Sequence, residues 1–358
     1  MEFEFRNLLN VLIKYKCYHI SRNIFLACHF EKRLPFFIIF ELRVQIPAAS
    51  KMYIMNVDII GDIHGHADKL EALLQKLGYS LQNGIYAHPE RKVLFLGDYI
   101  DRGPRIRAVL EMVRSMVESG SALALMGNHE YNALCFHFQE SEGGHLRKHL
   151  IKNIVQHYET LRQFQNEQAV YEDYLEWFKT LPLMLETKDF RAVHACWDVN
   201  HIQYLKDHLI DNRLTDDLIY KSVCMGTPLY KAVNNSLKGR EIHIPNGLTF
   251  TDKDGTLRTQ IRIKWWENPL TTTCKGLSVE TLPFLPDMLL DPVLLRTKNY
   301  YKPDEKPVFF GHYWLKGEPT LYRDNVCCLD YSVAKHGHLA AYRYDGESTL
   351  NVDKLVFV

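Results

Sequence analysis

The sequence predicts an α/β fold with parallel strands, and two observations carry this prediction. Short apolar runs rich in Val, Ile, Leu and Phe recur along the chain, and each is followed at once by Asp, Asn or His. The segments between the first three runs have the spacing of amphipathic helices. Strands and helices that alternate in this way form parallel neighbours joined by right-handed crossovers. Polar residues at the carboxyl ends of such strands can converge on one crevice.

Five segments follow this pattern of an apolar run and then polar residues. A glycine separates the run from Asp62, Asp98 and Asn128 in the first three, and Gly311 precedes His312 in the last. A single motif of this kind is more typical of a turn. Five of them, in this order and each after a strand, indicate a shared site. The segments are VDIIGDIHG (57–65), KVLFLGDYIDRG (92–103), ALALMGNHE (122–130), FRAVHACW (190–197) and PVFFGHYW (307–314).

The segments between these motifs predict helices, a hairpin and closing strands. Leucines at 70, 73, 74 and 77 form a helical stripe before Gly78, and Pro104 opens a second helix that ends before Gly120. A long helical stretch is expected from about 131 to 179. The insert at about 200–301 predicts two strands around an Asp254–Gly255 turn, as a lid over the site. The tail predicts antiparallel strands, so residues 52–358 form one domain.

Composition excludes several classes of protein. The chain has 358 residues, is 46% hydrophobic, and balances 43 basic against 43 acidic side chains. No basic field suggests a nucleic-acid partner. The eight cysteines show no C-x-x-C spacing, which is typical of reduced thiols in a cytoplasmic protein. The apolar run at 34–40 is too short to span a bilayer, so no membrane partner is expected.

The first 51 residues differ in character from the rest of the chain. They are aromatic and basic and show no clear period. We expect the natural start to be Met52 or Met55, which would make residues 1–51 an extension foreign to the native protein. A signal peptide is the weaker alternative, because Glu41 and Arg43 directly follow the apolar run.

The combined motifs resemble those of the calcineurin-like metallophosphoesterases. The segment Asp101-Arg102-Gly103 is similar to the phosphoprotein-phosphatase branch, which includes serine/threonine phosphatases and bacterial symmetrical dinucleoside tetraphosphatases. The resemblance extends from Val57 to the C-terminus. It implies a metallophosphoesterase fold, in which a central β-sandwich of mixed sheets is flanked by helices and the active site lies at the strand carboxyl ends.

The same resemblance implies two divalent metal ions. Asp62 and His64 would bind one ion, Asp98 would bridge both, and the other ion would be held by Asn128, His194 and His312. Ligands that offer only N and O atoms suit Mn, Fe or Zn. Such a pair of ions can share a water, lower its pKa and direct it at phosphorus.

Catalytic roles are likewise implied by the resemblance. His129 would donate a proton to the leaving oxygen, Asp101 would orient it, and Arg102 would bind the phosphate oxygens. A second phosphate-binding arginine is usual in the protein phosphatases, and Arg240 is the weak candidate, with a solvated loop arginine as the alternative. We interpret His66 as the start of a helix and Glu130 as support for its loop.

The expected function is a dinuclear-metal phosphoesterase that acts on a nucleotide polyphosphate, in the manner of a diadenosine tetraphosphatase. Trp314 could stack on a base. Trp197 stands where protein phosphatases carry glycine, which weakens the alternative of a serine/threonine phosphatase. A non-catalytic scaffold is the alternative of another class, and no ligand is missing to favour it. The substrate would be a phosphorylated small molecule or a phosphoprotein, and the oligomeric state stays open.

Overall fold

The computed structural model describes residues 56–358 except 141–142, 252–256, 292–294 and 296–297. The N-terminal extension predicted at 1–51 lies outside the described residues, and so does the predicted Asp254–Gly255 turn. Strands flank that turn on both sides.

The first half of the described chain alternates strands with helices, as the apolar spacing predicts. The helix predicted from 131 to 179 is three helices, and the first begins at Asn128. In order, the elements are β1 (Val57–Ile60), α1 (Ala67–Lys76), β2 (Ser80–Gln82), β3 (Ile85–Ala87), β4 (Lys92–Phe95), α2 (Ile106–Glu118), β5 (Ala122–Ala124), α3 (Asn128–His137), α4 (Ile151–Phe164) and α5 (Gln168–Lys179).

The second half contains a helical segment, several short strands and the closing strands. The elements are β6 (Met184–Glu186), β7 (Arg191–Val193), α6 (Val199–His208), α7 (Asp216–Ser222), α8 (Pro228–Lys238), β8 (Glu241–His243), β9 (Phe250–Thr251), β10 (Leu257–Arg258), β11 (Gln260–Arg262), α9 (Cys274–Leu277), β12 (Val308–Phe310), β13 (Val326–Cys328), β14 (Asp330–Tyr331), β15 (His338–Tyr344) and β16 (Leu355–Phe357). Short 3₁₀ turns occur at Pro245–Gly247, Val333–Lys335 and Val352–Lys354.

Two mixed sheets form the centre of the fold. One has the order β14-β15-β1-β4-β5 with β16 beside β15, and the other has the order β13-β12-β7-β6. β1, β4 and β5 are parallel, as are β7, β12 and β13. The rings of Phe309 in β12 and of Phe190, just before β7, contact those of Tyr342 and Tyr344 in the other sheet, with ring centres 5.1–5.7 Å apart. The sheets therefore pack face to face, and the predicted α/β sandwich is confirmed.

The helices that follow the first two parallel strands bury the predicted apolar stripes. α1 buries Leu70, Leu73 and Leu74, and α2 buries Ile106 and Leu110 among others. Because each helix returns the chain to the start of the next parallel strand, the carboxyl ends of β1, β4 and β5 lie together at one edge.

The predicted lid consists of two differently packed parts. α6 and α8 contribute Ile202, Leu205 and Val233 to the main hydrophobic core. From here on, we use the name insert only for residues 241–295 of the region predicted at 200–301. These residues have a small core of their own, made of Ile242, Ile244, Ile261, Ile263, Cys274, Leu277, Leu285, Leu290 and Leu295. Trp265 and Trp266, also within this range, belong to the main core, where they pack on Phe310. The insert thus has a small core of its own and is joined to the main core through these two tryptophans.

The cysteines of the described segments are free thiols, and all except Cys224 are buried. Cys17 and Cys28 lie outside those segments. No helix found in the same segments is long and apolar enough to cross a membrane.

Candidate active site

Five loops that leave the carboxyl ends of strands form the candidate active site. They follow β1, β4, β5, β7 and β12, the five runs identified in the sequence. Non-glycine residues with positive φ concentrate there, which is typical of functional loops that the surrounding structure holds in place. Of the eleven such residues in the described part of the chain, six lie in these loops: His64, Asp98, Asp101, Arg102, His312 and Trp314.

Asp98 lies at the centre of two groups of potential metal ligands. His64, Asp98 and His129 offer ligand atoms within 4.8 Å of one another, and so do Asp98, His194 and His312. All five side chains are buried. A carboxylate common to two adjacent groups is the arrangement expected of a bridging ligand. The first group differs from the predicted ligand set, because it contains His129, the predicted proton donor, and does not contain Asp62.

Backbone carbonyl groups orient two of these histidines. His64 donates from Nδ1 to the carbonyl oxygen of Ile100, and His194 donates from Nδ1 to that of Leu96, both at 2.9 Å. Each ring is thereby fixed with its Nε2 directed at the cluster, as is usual for metal-binding histidines. His64 Nε2 and His312 Nε2 are buried and have no hydrogen-bond partner among the described residues. Burial and nearby His129 lower the pKa of His64 to about 3, which keeps its ring neutral.

Asn128 lies between the second pair of histidines. Its Oδ1 is 2.6 Å from His312 Nδ1 and 3.1 Å from His194 Nε2. It is the first residue of α3, so the start of this helix, directly after the extended Gly127, places its amide in the cluster. The predicted ligands of the second ion therefore share one small volume.

Asp62 stands in a crowded group of carboxylates. It accepts hydrogen bonds from the His312 backbone N–H at 3.1 and 3.2 Å. Burial and the charges of Asp330 and Asp98 raise its pKa well above the ordinary value. Three buried carboxylates and two unpartnered imidazole nitrogens are unfavourable on their own and favourable around divalent cations. The donor set fits a pair of such ions.

Two glycines make this close packing sterically feasible. A Cβ atom at Gly311 would lie 2.0 Å from Asp62 Oδ1, and one at Gly97 would lie 2.5 Å from the backbone nitrogen of Gly127. Gly97 also has a φ of 108°, in the region that favours glycine. The glycines between strand and ligand are thus required by the approach of neighbouring loops.

His129 and Asp101 form a buried pair next to the cluster. His129 Nδ1 lies 2.5 Å from Asp101 Oδ2, and its backbone N–H donates to Asp98 Oδ1 at 2.9 Å. Burial alone would lower the pKa of His129, but Asp98 and Asp101 outweigh burial and raise it. The ring is therefore suited to carry a proton, with Nε2 available toward the cluster.

The sequence analysis did not identify the residues that hold the second oxygen of Asp101. His157 Nδ1 and Thr160 Oγ1, both on α4, donate to Asp101 Oδ1 at 2.7 and 2.6 Å. Tyr171 in α5 lies 2.9 Å from His157 Nε2. His157 is thus buried between the Asp101 loop and α5. Asp330, which crowds Asp62, was also missed, because no motif marks it.

Glu130 fixes the loop that carries Asp98. Its two carboxylate oxygens accept hydrogen bonds from the backbone N–H groups of Asp98, Tyr99, Ile100 and Gly127 at 2.8–3.3 Å. This contact pattern matches the loop-support interpretation of Glu130. His66 precedes the first residue of α1 and is only half-buried.

Arginines occupy positions that differ from the prediction in one respect. Arg102 is exposed at the rim, with its guanidinium carbon 3.9 Å from the centre of the Trp314 ring. Arg240 is buried instead, pairs with Asp198 and donates to the carbonyl oxygen of Asn299. The charge of Arg102 acts on His64 and His129, and that of Arg262 helps burial to lower the pKa of His312.

The two tryptophans that follow the histidine motifs have different environments. Trp314 lies 5.9 Å from the His64 ring, so it borders the site. Trp197 is buried against Arg191 and Lys206. Only Trp314 is therefore placed to meet a substrate.

The chain belongs to the calcineurin-like phosphoesterase family, whose pattern matches residues 55–312. This confirms the family resemblance identified from the motifs.

Curated relatives include enzymes named asymmetrical bis(5'-nucleosyl)-tetraphosphatase PrpE. The protein from Oceanobacillus iheyensis is 34% identical over 142 residues, which cover 39% of this chain and 55% of the relative. The one from Bacillus subtilis is 34% identical over 145 residues, covering 39% of this chain and 57% of the relative. The chain thus spans little more than half the length of these relatives.

A solved structure with a similar course is a protein serine/threonine phosphatase from Saccharomyces cerevisiae. It is 12% identical, covers 85% of this chain and 79% of its own, and superimposes with a TM-score of 0.44.

Proposed function

We propose that the protein is a dinuclear-metal phosphoesterase that hydrolyses a nucleotide polyphosphate. The observation that carries the proposal is the pair of ligand groups that share Asp98, with the His129–Asp101 pair beside them. When bound, two divalent ions would supply a nucleophilic water of lowered pKa and would neutralise charge on the phosphate. Asp62 and His64 would hold one ion, Asp98 would bridge, and Asn128, His194 and His312 would hold the other.

The chain's own side chains supply the remaining chemistry. Asp101 fixes the ring of His129, so that Nε2 can give its proton to the leaving oxygen. His157 and Thr160 donate hydrogen bonds to Asp101 Oδ1 and so hold the Asp101 carboxylate in position for His129. Arg102, steadied on Trp314, binds non-bridging oxygens of the phosphate at the rim.

A nucleotide polyphosphate is favoured because the relatives are named for that substrate and because Trp314 offers a ring beside the site. A serine/threonine phosphatase is the second candidate, since Asp101-Arg102-Gly103 resembles that branch. A non-catalytic scaffold would be expected to lack part of the proposed ligand set or of the His129–Asp101 pair, and no member of either is missing from this sequence.

The experiment is hydrolysis by the purified full chain with Mn²⁺. The substrates are p-nitrophenyl phosphate, diadenosine tetraphosphate and a phosphopeptide, each compared with Asp98→Asn. We expect turnover of diadenosine tetraphosphate to exceed that of the phosphopeptide. Turnover no greater than the Asp98→Asn background on all three substrates would overturn the proposal. Faster turnover of the phosphopeptide would overturn the assignment of a nucleotide polyphosphate as the substrate.

Mn, Fe or Zn would suit the nitrogen and oxygen ligands, and metal analysis of protein purified without chelator distinguishes them. A cytoplasmic location fits the free thiols of the described segments.

A further inference from the structure

A cavity of about 590 Å³ lies between the insert and the loop that follows β12. Its volume is in the range of sites for small molecules. Arg102 and Trp314 line it, and the Trp314 ring is 5.9 Å from that of His64. The cavity therefore borders the candidate metal centre.

One extended segment of the insert turns a polar face to this cavity. Arg258, Gln260 and Arg262 line the cavity together with Ile261, whose side chain, like that of Ile263, is buried in the small core of the insert. Alternate residues of an extended chain point to opposite sides, so the buried isoleucines fix the direction of the arginines. The small core thus serves to place two guanidinium groups in the cavity next to the site.

The remaining walls are aromatic and acidic. Lys316 adds a further cation, and the rings of Phe250 and Tyr322 and the carboxylates of Glu241, Glu280 and Glu318 lie among threonine and aliphatic side chains. Those carboxylates offset part of the positive charge of Arg102, Arg258, Arg262 and Lys316, and so weaken the attraction of the cavity for a bare polyphosphate. A nucleoside phosphate offers phosphates to the arginines, a flat base to the rings and ribose hydroxyls to the carboxylates.

We propose that this cavity binds the nucleoside phosphate portion of the substrate, with Arg258 and Arg262 on its phosphates and the aromatic wall on its base. The inference rests on the proposed phosphoesterase function. It assigns substrate choice to the insert and leaves bond cleavage to the strand-end loops.

Direct binding of adenosine diphosphate tests the proposal. Titration calorimetry on the full chain, with Mn²⁺ and after chelator treatment, is expected to show Arg262→Gln weakening binding by about tenfold under both conditions, as for loss of one charge-assisted hydrogen bond. Phe250→Ala, which removes a ring from the wall, should weaken binding as well. Arg162→Gln is the control, because Arg162 is exposed on α4 and pairs with Glu159.

Two further ligands fix the interpretation. Adenosine and inorganic tripolyphosphate should each bind more weakly than adenosine diphosphate, since each meets only part of the cavity. Equal binding of tripolyphosphate would overturn the proposal, and so would affinities unchanged by both Arg262→Gln and Phe250→Ala.

Failure of this inference is distinguishable from failure of the proposed function. If the protein hydrolyses p-nitrophenyl phosphate but Arg262→Gln leaves nucleotide binding unchanged, only the proposed cavity site is contradicted. If nucleotide binding depends on Arg262 but no substrate is hydrolysed, the proposed function is contradicted and the cavity site is supported.

Discussion

The loops at the strand ends and the insert differ in how firmly their polar groups are held. In the loops, Asp98, Asp101 and Glu130 are buried, and each receives hydrogen bonds from backbone or side-chain donors. In the insert, Arg258 is exposed, and Arg262 is about one-third exposed with Glu241 4.0 Å away. Buried, fully hydrogen-bonded groups are preorganised for chemistry, whereas exposed side chains can adapt to a ligand.

This contrast suggests that reaction and substrate choice are located in different layers. The main core supports the ligands of the metal centre, and the small core of the insert supports one wall of the cavity. Changes in the first layer should then abolish turnover of every substrate, and changes in the second should affect nucleotides selectively.

The largest effect is expected for Asp98→Asn. Asp98 belongs to both ligand groups, so its loss should weaken both metal positions and lower kcat on all substrates, on the order of 10³-fold or more. Metal content and p-nitrophenyl phosphate turnover are the measurements. Asp217→Asn is the control, because that carboxylate is exposed and pairs with Lys221. Full metal content with full activity in Asp98→Asn would break the assignment of the bridge.

His129→Ala should separate proton donation from metal binding. We expect kcat to fall by about 10² to 10⁴ because the leaving oxygen loses its proton donor. Although His129 belongs to the first group of potential ligands, we assign it to Asp101, so metal content should stay near that of the unmodified protein. The matched variant His66→Ala should change little. Loss of metal in His129→Ala would instead make this histidine a ligand.

His157→Gln tests whether α4 tunes the His129–Asp101 pair. A good leaving group such as p-nitrophenolate needs little protonation, whereas phenolate needs more. We therefore expect phenyl phosphate hydrolysis to fall by about ten- to a hundredfold, and p-nitrophenyl phosphate hydrolysis to fall far less. An equal loss on both substrates would show that His157 acts only on folding.

Glu130→Gln should reduce stability. Each carboxylate oxygen of Glu130 accepts hydrogen bonds from two backbone N–H groups. In Glu130→Gln, the side-chain NH₂ group would replace one of these oxygens. It would then point donor hydrogens at two backbone donors, and that pair of hydrogen bonds would be lost. We expect the free energy of unfolding to drop by about 1–3 kcal/mol, measured by urea denaturation. Glu118→Gln, an exposed i,i+4 partner of Arg114, should lie within about 0.5 kcal/mol of the unmodified protein. Equal stability of both variants would contradict the loop-support role.

The sequence predicted the parts of the molecule that repeat a pattern. Each apolar run followed by Gly and a ligand could be recognised, because strand, tight turn and ligand are adjacent in the chain. His157 and Asp330 could not be recognised, because they reach the site from α4 and from β14, and no spacing relates them to Asp101 or Asp62.

The insert was predicted as a hairpin but not as a separate packing layer. The alternation of Arg258, Gln260 and Arg262 with Ile261 and Ile263 does mark an extended segment with one polar face. The sequence does not show which surface this polar face borders. The face borders the loop after β12, and the position of that loop is determined by the packing of the two sheets. Arg240, the sequence candidate for a second phosphate-binding arginine, is instead paired with Asp198, which lies 42 residues away in sequence and is related to it by no motif.

The smallest effect on the chemical step is expected for Ile261→Ala. The deletion would open a space in the small core and destabilise the insert locally by about 2–5 kcal/mol, while the main core stays intact. Hydrogen exchange should accelerate within 241–295, nucleotide binding should weaken, and p-nitrophenyl phosphate turnover and metal content should stay unchanged. Ile59→Ala, in the main core beneath the metal centre, should reduce all of them. If Ile261→Ala lowered metal content as much as Ile59→Ala, the two layers would be one cooperative unit, and substrate choice could not be assigned to the insert alone.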